Sequence, residues 1–349
     1  MRLAGSRLQH HPSRVGLTKD TKAGPVWTGE VRFNEQWLTQ PLRWKRPRKI
    51  FVAAHGDLFH ENVPDDVLDR VFAVMALSPQ HTFQVLTKRA DRMRRYFHGC
   101  LPPPPNVPLR NPWVTQWHRF KGVHKALNDL RQAGYSDLLG KITTLPLPNV
   151  WLGVSVEDQR RADERIPDLL ATPAAVRWIS AEPLLGPVNL HEYLLGFSAG
   201  HPASCACGHG HGFTRCPNYG RVSKSCHRCS CTEFRKAPGS DGLSWVVVGG
   251  ESGPGARPMH PDWARSLRDQ CAAAGVPFLF KQHGSWLGRS QGADDETCKR
   301  FPHIGSANGQ DVLYRVGKKA AGRLLDGVTH DEFPEAAQSA SLAEGSRRG

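Results

Sequence analysis

"SWVVVGGESGPGARP", Ser244 to Pro258, sets an apolar run against a cluster of glycines around one acid. Trp245–Val248 is short, continuous and rich in β-branched residues, which predicts a strand buried on both faces. Gly249, Gly250, Gly253 and Gly255 follow at once. Either the chain turns tightly there, or something approaches its backbone too closely for a Cβ. Glu251 stands inside that turn. A strand-to-helix turn without a ligand uses these residues as readily as a ligand-binding loop does, so the rest of the chain has to weigh in.

Similar units recur on both sides of this stretch. "KIFVAAHGDLFH" (Lys49–His60) is an apolar strand ending at Gly56 and Asp57. After it, "VPDDVLDRVFAVMAL" places Val67, Val71 and Val74 on one face, with Leu68, Phe72 and Met75 beside them. Pro64 and two aspartates mark its start, as at a helix N-terminus. "TFQVLTKR" ends at Lys88; "NVWLGVSVED" ends at Ser155 and Glu157; "VRWISAEPLL" ends at Ser180 and Glu182. "PDWARSLRDQCAAAG" carries Trp263, Leu267 and Cys271 at i, i+4 and i+8, and "VPFLFKQHG" ends at Lys281 and Gln282.

Strands alternating with helices predict a parallel sheet, and this many units point to an α/β fold of partial (β/α) TIM-type barrel form. A doubly wound sheet alternates in the same way and stays open at this level. In either fold, sites gather beyond the carboxyl ends of the strands. Asp57, Lys88, Ser155, Glu157, Glu182, Glu251 and Lys281 are therefore expected to converge at one mouth of the sheet. The less specific reading of Glu182 is a buried structural carboxylate that caps a neighbouring loop or pairs with Lys88 or Arg89.

The expected organisation is an N-terminal segment over 1–48, a barrel in two parts over 49–195 and 244–287, and a Cys/His-rich insertion over 196–243. A C-terminal extension, 288–349, is expected to be loop-like, with its end flexible beyond Pro334. Among the 349 residues the formal charge is +14, with a pI near 9.6 and a mean hydropathy of −0.47. "RWKRPRK" (Arg43–Lys49) and "KRADRMRR" (Lys88–Arg95) concentrate the cations. A cationic surface favours polyanions, nucleic acid first, although a solvated surface uses the same residues. No apolar stretch approaches the ~20 residues of a membrane span, and the N-terminal stretch has no apolar core of a secretory signal. The expected compartment is the cytoplasm.

Nine cysteines are present, six of them between Cys205 and Cys231. Such clustering predicts reduced thiols and metal ligation. Cys205, Cys207, Cys226 and Cys229 are the expected zinc ligands, with Cys216 and Cys231 as substitutes, because Cys-x-Cys and Cys-x₂-Cys turns bring paired thiolates onto one tetrahedral ion. A disordered Cys-rich loop and an iron–sulfur cluster are the rival readings. Cys271, on an apolar helix face, is expected in the core.

Taken in order, "PLRWKRPRKIFV", "GDLFHENVPDDVLDRVFAVM", "HTFQVLTKR", "NVWLGVSVEDQRRADERIP", "RWISAEPLLGPVNL", "WVVVGGESGPGARPMHPDWARSLRDQC" and "PFLFKQHG" resemble the phage gp thirty-seven/gp sixty-eight family. That group of phage and bacterial proteins carries a domain of unknown function. It looks like a distant branch of the radical S-adenosylmethionine enzymes. The resemblance implies a partial barrel of radical-SAM type, with S-adenosylmethionine and a [4Fe–4S] cluster as cofactors. It implies that Gly249 and Gly250 let the backbone approach the ligand, while Ser155, Glu182 and Glu251 accept from its ammonium and hydroxyl groups. The family's three cluster cysteines lie in a segment ending in Cys-Tyr-Ala, and no cysteine here precedes Cys100. The expectation is that the reading frame extended upstream of Met1 encodes that segment, 1–48 being the remnant of a truncated first βα unit.

Three functional readings follow. The first is a radical-SAM-like protein acting on a nucleic acid or nucleotide, its cluster-binding segment absent from this chain. The second is a non-enzymatic nucleic-acid-binding protein that keeps the barrel as a scaffold with a zinc loop. A hydrolase or lyase using Asp57, Glu182 and Glu251 with a divalent metal is the third, and no metal-ligand spacing supports it.

Overall fold

The computed structural model describes residues 10–12, 15–22, 24–54, 56–98, 121–135, 146–195, 242–305 and 311–335. The cysteine cluster with its expected zinc ligands, the Pro-rich stretch 100–112 and the end of the C-terminal extension lie outside the described residues. The chain divides into two compact units. One comprises Met1–Trp151 and Thr172–Ala175; the other comprises Leu152–Ala171 and Val176–Gly349.

In the first unit, β1 (Thr18–Lys19) and β2 (Val26–Trp27) form an antiparallel pair, followed by the single turns α1 (Glu35–Leu38) and α2 (Gln40–Arg43). Next come β3 (Lys49–Val52), α3 (Asp65–Ala76), β4 (Thr82–Thr87), α4 (Ala90–His98) and α5 (Lys121–Gln132). β3 and β4 are parallel, in register from Lys49 opposite Thr82 to Val52 opposite Val85. Pro64 occupies the N-cap position of α3 without a side-chain bond, and Asp65 and Asp66 stand in the first turn, at the positive end of its dipole. Leu68, Phe72 and Met75 are buried along that helix, as their spacing predicts. Phe72 lies 5.5 Å from the Tyr96 ring and 5.2 Å from that of Phe97, with Phe59 alongside both. Burying each such ring contributes about 2–3 kcal/mol.

The second unit holds most of β5 (Val150–Ser155), then α6 (Gln159–Leu170), β6 (Val176–Ala181) and α7 (His191–Leu195). It continues with β7 (Trp245–Gly249), α8 (Pro261–Ala274) and β8 (Phe278–Gln282). All five residues of β7 are buried, as its unbroken apolar run predicts. β6, β7 and β8 are parallel neighbours. The six-stranded sheet has the order β3-β4-β5-β6-β7-β8, which is the order of the chain. A doubly wound sheet would reverse its order at a switch point. The connectivity is that of a partial (β/α) barrel.

Glycine in mid-strand has a packing reason here. A Cβ on Gly153 of β5 would lie 2.4 Å from the indole of Trp178. That indole packs against Trp245 at 5.4 Å. Ala162, Ile166 and Leu169 are the buried positions of α6, and Asp158 caps that helix by accepting from the Arg161 N–H. On α8, Leu267 and Cys271 are buried. The residue one turn earlier in the core is Ala264, with Trp263 only half-buried.

The chain after Leu287 departs from the loop-like expectation. β9 (Leu287–Gly288), β10 (His303–Gly305) and β11 (Val312–Tyr314) make a small antiparallel sheet, with α9 (Asp295–Arg300) and α10 (Lys318–Ala321) between and after them. Strands of two or three residues are too short to leave a periodic signature. The chain then returns along β8: Phe280 N–H donates to the His330 carbonyl, Glu332 N–H donates to that of Phe278, and Leu279 bridges Asp331 antiparallel. Trp245 donates to the Glu332 carbonyl at 2.8 Å. This returning segment covers the outer edge of β8, which would otherwise expose unpaired backbone groups. No helix among the described residues is long and apolar enough to cross a membrane.

Candidate functional site

In the second unit, three carboxylates stand just beyond the ends of β5, β6 and β7, and each holds a cation. Glu157 accepts from Arg165 Nη1 at 2.9 Å, and the same Nη1 donates to the Ser155 carbonyl at 2.7 Å. The Glu157 side chain is only 10% exposed, so this is a charge pair largely removed from water. Glu251 takes a three-point grip from Arg257. Its Oε2 accepts from the Arg257 backbone N–H at 2.9 Å and from Nε at 2.8 Å, and Oε1 accepts from Nη2 at 3.2 Å. The hydrogen bonds to Glu251 are the main reason the Arg257 guanidinium holds its proton more tightly than usual.

Glu182 is the third. Its Oε2 accepts from Lys281 Nζ at 2.7 Å and its Oε1 from Gln282 Nε2 at 2.9 Å. Both donors sit at the end of β8. The pairing of Glu182 with Lys88 or Arg89 allowed by the sequence is replaced by this one, and Arg89 binds Asp57 and Glu61 instead. The loop after Glu182 is tied to its neighbours, Leu184 N–H donating to the Gly249 carbonyl and Leu185 N–H to that of Glu157. A Cβ on Gly249 would stand 3.3 Å from the Glu182 carboxyl carbon. The missing side chain leaves the Glu182 carboxylate its place against the end of β7.

What comes close at Gly250 is another piece of backbone. A Cβ there would lie 1.9 Å from the His283 carbonyl oxygen, and one on Gly284 would lie 2.2 Å from that of Glu251. Gly250 N–H donates to the Gln282 carbonyl at 2.9 Å, Ser285 N–H to that of Glu251 at 2.8 Å, and Gly253 N–H to Ser285 Oγ at 3.1 Å. The loops after β7 and β8 are laced together, glycine against glycine. Gly253 and Gly255 serve differently, since with φ of +97° and +73° they occupy the left-handed region that a turn requires.

His283 shows that this lacing reaches the core. It is 2% exposed, and its Nε2 lies 2.7 Å from the Leu324 carbonyl, so Nε2 carries the hydrogen. Burial lowers its proton affinity.

In the first unit, Asp57 takes four donors. Oδ1 accepts from the Phe59 N–H (3.0 Å) and Thr87 Oγ1 (2.7 Å); Oδ2 accepts from the Lys88 N–H (3.1 Å) and Arg89 Nη1 (2.9 Å). Arg89 Nε also reaches both oxygens of Glu61 at 2.8 Å. Lys88 is exposed.

The residues expected at one mouth thus form two groups. Ser155, Glu157, Glu182, Gly249, Gly250, Glu251 and Lys281 lie at strand ends of the second unit, and Asp57 and Lys88 at strand ends of the first. Gln282, marked in the sequence as a polar strand end beside Lys281, completes these arrangements together with Arg165, Arg257 and Gly284, which carry no comparable signal. Cys271 is buried as expected, and its thiol is pushed up to about 12 by that burial. Among the described residues no three histidines, cysteines or carboxylates are grouped to hold a metal ion.

One protein family matches the chain, over residues 3–334, and its description reads "protein of unknown function (DUF5131)". No curated protein and no solved structure matches.

Proposed function

We propose, for a chain that belongs to the family described as protein of unknown function (DUF5131), that the strand ends of the second unit bind S-adenosylmethionine. On this reading the protein is a radical-SAM-like barrel of the phage gp thirty-seven/gp sixty-eight type. One observation carries it. The Glu182 carboxylate lies against Gly249, where a side chain is missing, and is held by an ammonium group on one oxygen and an amide on the other. Lys281 is 54% exposed on its side chain, so its ammonium can give way to the ammonium of an amino-acid ligand. Gln282 is buried and keeps the carboxylate aimed. Ser155 and Ser180, at the ends of β5 and β6, supply hydroxyls at strand ends of the same unit. When bound, the sulfonium ligand offers a cationic, readily cleaved carbon–sulfur bond. Cys271 is the one cysteine whose side chain is described, and it lies in the core, where it fits no iron–sulfur cluster.

Calorimetric titration of the full chain with S-adenosylmethionine tests the reading. Removing the charge of a carboxylate that receives a ligand ammonium costs about tenfold to a hundredfold in affinity. Glu182→Gln is expected to lose that much, while Lys281→Ala binds at least as well as the unaltered chain. Absence of heat with the unaltered chain, or equal affinity in Glu182→Gln, contradicts it.

A further inference from the structure

The strongest charge concentration in the first unit lies away from its carboxylates. Arg43, Lys45, Arg46, Arg48 and Lys49 fall within seven residues and are all exposed. No acid occurs between Glu35 and Asp57. Glu35 is paired with Arg70, and Asp57 with Arg89. Among the described residues, Lys45, Arg46 and Arg48 have no acidic partner. Like charges this close together repel one another, and they offer a polyanion a dense row of cations.

The segment is clamped from below. His81, 1% exposed, accepts the Arg48 N–H on Nδ1 at 3.2 Å; its Nε2 therefore carries the hydrogen and donates to the Pro41 carbonyl at 3.0 Å. Gln80 Nε2 donates to the Trp44 carbonyl at 3.3 Å. The Trp44 ring packs edge-on against His81 at 6.0 Å, and the Arg48 guanidinium lies 4.4 Å over its face. One buried imidazole thus fixes the ends of a loop whose cationic residues are exposed. β3 prolongs the surface. Lys49 and Phe51 are exposed on the same side of that strand, since side chains alternate with a period of two. Phe51 is 43% exposed on this strand.

We infer that Arg43–Phe51 is a binding surface for single-stranded nucleic acid. The cations track its phosphates and Phe51 gives a base a ring to stack on. A fixed row of cations followed by an aromatic fits a flexible polyanion that carries planar groups, and ordering costs are reduced because His81 has already set the loop.

The test is fluorescence anisotropy of a labelled oligo-dT with the full chain at about 50 mM salt, where phosphate contacts are strong. Binding is expected, with a log–log salt dependence. Lys45→Glu/Arg46→Glu is expected to weaken it at least about tenfold and to lower the salt slope by about 1.4, the share of two phosphates on a single strand. Lys318→Glu/Lys319→Glu makes the same change in net charge on exposed residues of α10 and is expected to bind like the unaltered chain. Phe51→Ala is expected to weaken oligo-dT about fivefold or more and to leave duplex binding unchanged. No binding by the unaltered chain, equal loss in both double variants, or binding to anionic vesicles in place of oligo-dT overturns the inference. None of these readouts depends on S-adenosylmethionine.

Discussion

Gly250→Ala is expected to be among the most damaging single-methyl additions in this protein. The added carbon would lie 1.9 Å from the His283 carbonyl oxygen and 2.6 Å from its carbon. Both atoms are backbone and cannot swing aside. The loop carrying them is held by the Gly250 and Ser285 hydrogen bonds and by the buried His283 ring. Relief requires the loops after β7 and β8 to part, which breaks that lacing. Overpacking of this kind costs about 3 kcal/mol or more, a fall in melting temperature of roughly 6–12 °C. Gly253→Ala, three residues on, is the natural comparison. Its φ is +97°, yet nothing lies within 4 Å of its would-be Cβ, so it bears only the backbone cost of about 1–2 kcal/mol. Thermal melts of the two variants are expected in that order. Equal melting temperatures would mean that the loops are not packed backbone to backbone.

Asp57→Ala is expected to be nearly as costly, for an electrostatic reason. The carboxylate takes four donors, about as many as it has lone-pair sites. Its side chain is 15% exposed. Truncation leaves two backbone N–H groups, the Thr87 hydroxyl and one arm of Arg89 without their acceptor. Donors to a charged group are worth about 1.5–3 kcal/mol each when counted singly, and they do not add. A net loss of about 3 kcal/mol is expected, measured by chemical denaturation. Thr87→Val removes one of the four and is expected to lose about 1 kcal/mol. If Asp57→Ala unfolded at the same denaturant concentration as the unaltered chain, the carboxylate would not be holding the ends of β3 and β4.

How much of this is open to view in the sequence depends on the reach of each interaction. The β7 strand follows from five consecutive residues, and the faces of α3 and α6 follow from spacing within one helix; both are legible. The partner of Gly250 comes from His283 and Gly284, more than thirty residues later, and nothing at "GGES" names it. Glu182 finds its donors at separations of 99 and 100 residues. The pattern marks all three as polar strand ends but cannot say that they pair. Trp178 and Gly153 meet across neighbouring strands, and the glycine alone gives no sign of the ring that fills its place. Along the C-terminal extension, two- and three-residue strands carry too few side chains to show alternation. The segment that covers β8 is held mainly through backbone groups, which every sequence possesses.

S-adenosylmethionine is proposed to bind at the ends of β6, β7 and β8, beside Glu182 and Gly249. Hydrogen–deuterium exchange of the full chain, with and without saturating S-adenosylmethionine, tests that placement most directly. Bound ligand is expected to slow exchange at the amides of Gly249–Gly253 and His283–Ser285, with no change at β3 and β4. S-adenosylmethionine that leaves these amides exchanging as in the free chain would contradict it.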